Sequence, residues 1–278
     1  MPDASAYCAE LVRAADRDRY LATLFAPESD RAALFALYAF NVEVARVREA
    51  AREALPGEIR LQWWREVVGG ERHDEAAANP VAAALLATIE RHGLAPETLI
   101  DLIDAHRFDL YDAPMARVAD LEAYATKTAS AVIALAAQIL GAGRDEPAAE
   151  PAGIACGIAG LLQALPRHAA RGQVFLPAEF LDRHQVSVAD ILAGRSSAGL
   201  KAVCAALRQV ARGHLAAAAS PIKSLPAGTL PAFLPVALVR TTLDRQEPGD
   251  PFAPADIAPW RRQWLIWRAA RNPSRIAG

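Results

Sequence analysis

The sequence predicts an all-α protein on three observations. Alanine is frequent along the whole chain, and it loses no side-chain entropy in a helix. Apolar positions recur at helical spacing in stretch after stretch, bounded by Pro, Gly or a capping residue. Long alternating runs of β-branched residues are missing, and aromatic residues make up only 6% of the chain.

The elements follow in order. The first helix is expected over residues 7–24. Ser29 is a suitable N-cap for the second, which runs to 54 and stops before Pro56-Gly57. The third covers 58–68 and ends at Gly69-Gly70. Asn79-Pro80 opens the fourth, with Pro at the first helical position and Gly93 as its stop. Pro96 opens the fifth, which reaches 111. Residues 121–140 are long and nearly all apolar and read as a central, buried helix. A second such helix covers 153–165, where Pro166 should end or kink it at a cost of about 3 kcal/mol. Further helices are expected over 178–184, 188–193, 197–219, 231–243 and 259–270. The stretch AGRDEPAAEPA (142–152) is the one linker candidate, and it is short enough to be a loop inside one domain. No internal repeat of solenoid length is visible.

Composition narrows the class. At 278 residues and 53% hydrophobic, the chain can bury a substantial core. A net charge of −2 gives no global field for nucleic acid. Cys8, Cys156 and Cys204 fit neither a zinc spacing nor a paired disulfide framework, which suggests a reducing compartment. The N-terminus MPDASAYCAELV has early acidic residues and no apolar h-region, so no signal peptide is expected. The longest apolar run, 129–143, contains Gln138 and is too short to span a bilayer comfortably. A soluble, intracellular protein is expected, with membrane association left open.

Four clusters could carry chemistry. The first is YAFNVEVARVRE (38–49), where Glu43, Arg46 and Glu49 are spaced i, i+3, i+6 and Glu49 meets Arg52 at i+3. A magnesium site would want carboxylates at i and i+4, and only Glu49 and Glu53 have that spacing, among arginines. The residue chemistry favours a ladder of weak surface ion pairs. The second is the acidic face of Glu97, Asp101 and Asp104, with His106 to one side; a solvated helix face is the simpler reading. The third is Arg167, His168 and Arg171, which follow an apolar helix. They form either an anion cradle or a loop whose arginines pair with carboxylates elsewhere.

The fourth is the C-terminal stripe of Trp260, Trp264 and Trp267, at i, i+4, i+7 beside Arg261, Arg262 and Arg268. Docking of this helix on its own domain is the commoner outcome, and contact with a membrane or a protein partner is the alternative. The six histidines show no paired metal spacing, and nucleophile elbows and phosphate-binding loops are absent.

Five segments together resemble the squalene/phytoene synthase family: DRDRYLATLF (16–25), LFALYAFNVEV (34–44), LQWWREVV (61–68), LEAYATKTAS (121–130) and RGQVFLP (171–177). The resemblance covers most of the chain. It implies an isoprenoid-synthase-like fold in a single domain over residues 1–278, with many helices around a central cavity. In that family, two prenyl diphosphates are condensed by two aspartate-rich motifs that hold magnesium as a Lewis acid. The first motif resembles D-D-x-x-D after the YAF segment, and its positions match Ala45, Arg46 and Glu49. In the second, N-x-x-R-D-x-x-x-D, the arginine matches Gln163 and the aspartates match Ala164 and His168. Alanine cannot coordinate magnesium, and Arg46 places a positive charge where a cation would sit.

The resemblance therefore implies no catalytic residues and no cofactor, with magnesium required only if prenyl transfer survives. Candidates for a pocket or anion site are Tyr38, Asn41, Arg107, Lys127, Gln163, Arg167, His168 and Arg171. One branch of the family departs in a similar way: the mitochondrial complex I assembly factor and its bacterial relatives. It resembles this chain in AFNVEVA, in the LQWW aromatics and in the Pro-x-His before RGQVFLP. That likeness implies help in assembling NADH:quinone oxidoreductase through contact with one of its subunits at the membrane. The alternatives are a prenyl-diphosphate transferase with altered ligands, or a binding site for a prenyl phosphate or lipid without turnover.

Overall fold

The computed structural model describes residues 3–50, 53–246, 249–253 and 256–278. It is all-α: helices and short 3₁₀ and π turns follow one another, with no strand among the described residues. The chain forms two compact units, each assembled from separated segments. One gathers residues 1–110, 131–146 and 224–235; the other gathers 111–130, 147–223 and 236–278.

In the first unit, the Glu28–Ala45 helix is the buried spine. It buries Leu34, Leu37, Ala39 and Phe40 almost completely, and the Ala4–Ala15, Pro80–His92 and Ala131–Ile139 helices pack on it. Phe40 meets Trp64 of the Ala54–Val68 helix edge to face, 5.1 Å between centroids, a geometry that favours aromatic pairs. Asn79 accepts from the backbone N–H groups of Val81 and Ala82, Pro80 takes the first helical position, and Gly93 stops this helix in the left-handed region at φ 59°.

Five expectations about this unit need correction. The first helix breaks at Asp16 into Ala4–Ala15 and Arg17–Thr23, because the Asp16 carboxylate caps the second piece through the Arg19 N–H. The next helix starts at Glu28 behind an extended Pro27, and Ser29 lies inside it. That helix ends at Ala45, and a single turn, Val47–Ala50, follows a break at Arg46. Pro56-Gly57 does not stop a helix. It forms the first turn of Ala54–Val68, where a missing N–H costs nothing and Gly57 lets Leu110 approach closely. The 96–111 helix is α only over Pro96–Ala105 and tightens to 3₁₀ over His106–Leu110.

In the second unit, the Ala149–Ala170 helix packs along Ala198–Lys223 and against the π turn Thr126–Ser130. The approach to the π turn is very close: a Cβ on Gly153 would lie 2.2 Å from Ser130 Cα. Ser130 Oγ donates to the Glu150 carbonyl at 2.8 Å. The 121–140 stretch is largely buried as expected, but it comprises Val118–Ala125, that π turn and Ala131–Ile139. Residues 149–152, read as linker, are already helical.

Pro166 does not end its helix, which continues to Ala170. Leu162, Ala164, Leu165 and Ala169 are buried on both sides of it, so packing offsets the lost hydrogen bond. The helices expected at 178–184, 188–193, 197–219 and 259–270 appear as Ala178–Arg183, Val188–Leu192, Ala198–Lys223 and Pro259–Arg271. Over 231–243 the expected helix is 3₁₀ in Ala227–Leu238 and α in Val239–Gln246, because Pro231 and Pro235 each remove a backbone donor.

Candidate functional site

The first unit carries Tyr38, Asn41, Ala45, Arg46, Glu49 and Arg107. Tyr38 is buried under the Arg19 guanidinium, 5.5 Å from the ring centroid, and Arg19 is paired to Asp16 at 2.9 Å. Burial pushes the Tyr38 phenol well above its ordinary range, with Arg19 opposing in part. Asn41 is half-buried on the same helix. Ala45 and Arg46 are exposed at its broken end, where Arg46 lies 3.7 Å from Glu49, a weak solvent-screened pair.

The ladder expected here is therefore only partly formed. Glu43 pairs with Arg60 on the Ala54–Val68 helix, Glu53 is the N-cap of that helix, and Arg52 lies outside the described residues. Arg107 pairs with Glu58 at 3.1 Å and approaches Asp104, which is held by Arg65. Of the acidic face, Asp104 is thus drawn into ion pairs, while Glu97 and Asp101 are exposed as a solvated helix face would be. His106 is not beside it: it is buried, with Nδ1 2.7 Å from the buried Asp109. A groove of about 470 Å³ opens on this unit between Pro56, Ile59, Trp63 and Trp64, rimmed by the Glu43–Arg60 pair.

The second unit carries Lys127, Gln163, Ala164, Arg167, His168 and Arg171. Lys127 is exposed in the π turn. Gln163 donates to Asp256 at 2.7 Å, and Ala164 is buried. Arg167 and His168 lie in the last turn of the Ala149–Ala170 helix and not in a loop, and Arg171 is its C-cap. Arg167 and Arg171 are exposed, and the His168 ring lies tilted at 48° against Phe175, 4.6 Å between centroids. The three basic groups are close together, as the sequence suggested. Their place at a helix C-terminus favours cations through the helix dipole, so structure accounts for them without a ligand.

A cleft of about 140 Å³ in this unit was not legible as a site. It lies between Gln163, Cys204, Arg208, Arg245 and Gln246. Arg208 is only 7% exposed and donates to the Gln246 carbonyl at 3.4 Å. The Gln246 side-chain oxygen is buried with no hydrogen-bond partner among the described residues. Burial pushes the Cys204 thiol up to about 11, against the opposing charge of Arg208. The signal was present: Arg208 interrupts the apolar stripe of Leu200, Cys204, Leu207, Ala211 and Leu215. Among the described residues, no three His, Cys, Asp or Glu side chains converge as a metal site would require.

A profile of the squalene/phytoene synthase family matches residues 12–268. The chain belongs to that family. Among its relatives, complex I assembly factor 6 of Rattus norvegicus is 35% identical over 84% of this chain and 71% of that protein. A phytoene synthase of Thermus thermophilus is 27% identical over 96% of this chain and 94% of that one. A dehydrosqualene synthase, solved with a ligand, superposes with a TM-score of 0.77 at 16% identity, covering 96% of this chain and 95% of that one. That likeness shows the all-α isoprenoid-synthase fold. At the positions matched to the family's magnesium motifs, the chain offers Ala45, Arg46, Glu49, Ala164 and His168. The single carboxylate, Glu49, stands exposed beside Arg46, a set that does not fit a divalent cation.

Proposed function

We propose that this squalene/phytoene synthase-family chain serves assembly of the respiratory NADH:quinone oxidoreductase as a binding protein, without magnesium-dependent prenyl transfer. One observation carries the reading. Between Gln163 and His168, where prenyl transfer would need carboxylates, the helix presents a buried alanine and an imidazole packed at a tilt against Phe175. The likeness to complex I assembly factor 6 proteins supports it and supplies the class of partner, a subunit of that complex. The proposed place of action is the cytoplasmic face of a bacterial membrane. No described helix is long and apolar enough to cross a membrane, so membrane contact would be peripheral.

Deleting the gene should lower NADH:quinone oxidoreductase activity and the amount of assembled complex, and the intact gene should restore both. Unchanged activity in the deletion strain would remove the assembly role.

A second reading keeps prenyl-diphosphate chemistry with altered ligands, or binding of a prenyl phosphate without turnover. It is favoured by Arg167 and Arg171, both exposed and four residues apart at the end of one helix, since guanidinium groups pair with phosphate oxygens. Purified protein supplied with farnesyl or geranylgeranyl diphosphate decides between them. Diphosphate release above blank would establish turnover, and flat traces with and without magnesium would exclude it.

A further inference from the structure

The Pro259–Arg271 helix has two unlike faces. Ile266 and Ala269 are buried, as are Ile276 and Ala277 just beyond the helix. The helix thus docks, as expected, through Ile266 and Ala269, and it leaves much of its tryptophan surface outside the contact. Trp260, Trp264 and Trp267 are 70%, 45% and 43% exposed. Their spacing places all three on one side, along about 10 Å of helix axis.

The charged side chains on the helix itself are of one sign. Residues 257–278 hold five arginines and no Asp or Glu. The Arg268 guanidinium lies 4.2 Å from the Trp264 ring centroid, and that of Arg271 lies 4.2 Å from Trp267. These stacked pairs keep each guanidinium beside an indole at the surface, where its N–H fork can reach a phosphate oxygen. Indoles beside cations suit the boundary between lipid headgroups and acyl chains, where the ring is half solvated and the phosphates carry the opposite charge. At 13 residues the helix is too short to span a bilayer and can only lie along its surface.

We propose that the Trp260–Trp264–Trp267 face docks flat on an anionic phospholipid bilayer, with the indoles at the headgroup boundary and the arginines on lipid phosphates. The inference rests on this helix alone and does not depend on a role in complex assembly.

The test is flotation of the full chain with vesicles of phosphatidylcholine alone, or of phosphatidylcholine mixed with phosphatidylglycerol or cardiolipin. The chain should float with the anionic vesicles, stay behind with the neutral ones, and be released by high salt. A Trp260→Ala/Trp264→Ala/Trp267→Ala variant should lose binding while keeping its circular dichroism and melting temperature. If that variant does not fold, Arg261→Glu/Arg271→Glu, at two exposed positions, should lower partitioning by about tenfold or more. No flotation with anionic vesicles, equal flotation with neutral ones, or undiminished flotation of the folded variants would overturn the proposal. So would a purified protein subunit that binds this face while vesicles do not.

Discussion

Gly153 and Ser130 approach very closely in the second unit. A methyl group at 153 would overlap Ser130 backbone atoms at 2.2–2.4 Å, and backbone cannot swing aside as a flexible side chain can. Gly153→Ala should therefore cost about 1–3 kcal/mol, read as a lower melting temperature. Gly160, seven residues on in the same helix, is exposed with open space around it. Gly160→Ala should raise stability by about 0.5–1 kcal/mol, as expected where glycine only adds entropy to the unfolded chain. A Gly153→Ala protein as stable as the parent would refute the packing described.

Titration of single residues is also predictable. Burial raises the Cys8 thiol to about 11, with Asp3 adding to the effect, and raises Cys204 to about 11. Both should resist thiol reagents in the native protein at about pH 8 and react on unfolding. The folded state holds these protons more tightly than the unfolded one. Their contribution is thus intact below the ordinary thiol value and is lost as pH rises from about 9 toward 11. Urea midpoints across that range should fall in the parent protein, and fall less in a Cys204→Ala variant.

Helix termini decide the next scale. Asn79→Ala removes the acceptor for two N–H groups at the start of Pro80–His92 and should cost about 1 kcal/mol in urea denaturation. This terminus was legible because cap, proline and stop are local signals at fixed offsets. The break at Arg46 was not, because nothing local ends a helix there. Arg48 is drawn to the Leu110 carbonyl at 3.1 Å and Val47 is fully buried, contacts that only the folded unit supplies. The continuation through Pro166 was misread for the same reason: an intrinsic cost was visible, and the packing that offsets it was not.

At the scale of the molecule, membership of the squalene/phytoene synthase family raises the question of magnesium. Glu49 alone, beside Arg46, gives a divalent ion no site to stabilise. Adding magnesium, alone or with a prenyl diphosphate, should leave the melting temperature unchanged. A metal-dependent rise of several degrees would show a site formed from other residues. The candidate residues were legible because their chemistry is local to each segment, while the cleft around Arg208 required knowing which helices meet.

The sequence by itself determined the all-α class, many helix termini and the family. These follow from short-range periodicity, capping and residue identity. Only the tertiary structure decided that Glu43 pairs with Arg60, that His106 is buried with Asp109, that Arg208 is buried beside a cleft, and that the C-terminal helix buries Ile266 and Ala269 while its tryptophans face water. Each of these depends on which surfaces meet on folding, and an amphipathic helix can satisfy its own pattern with either face turned inward.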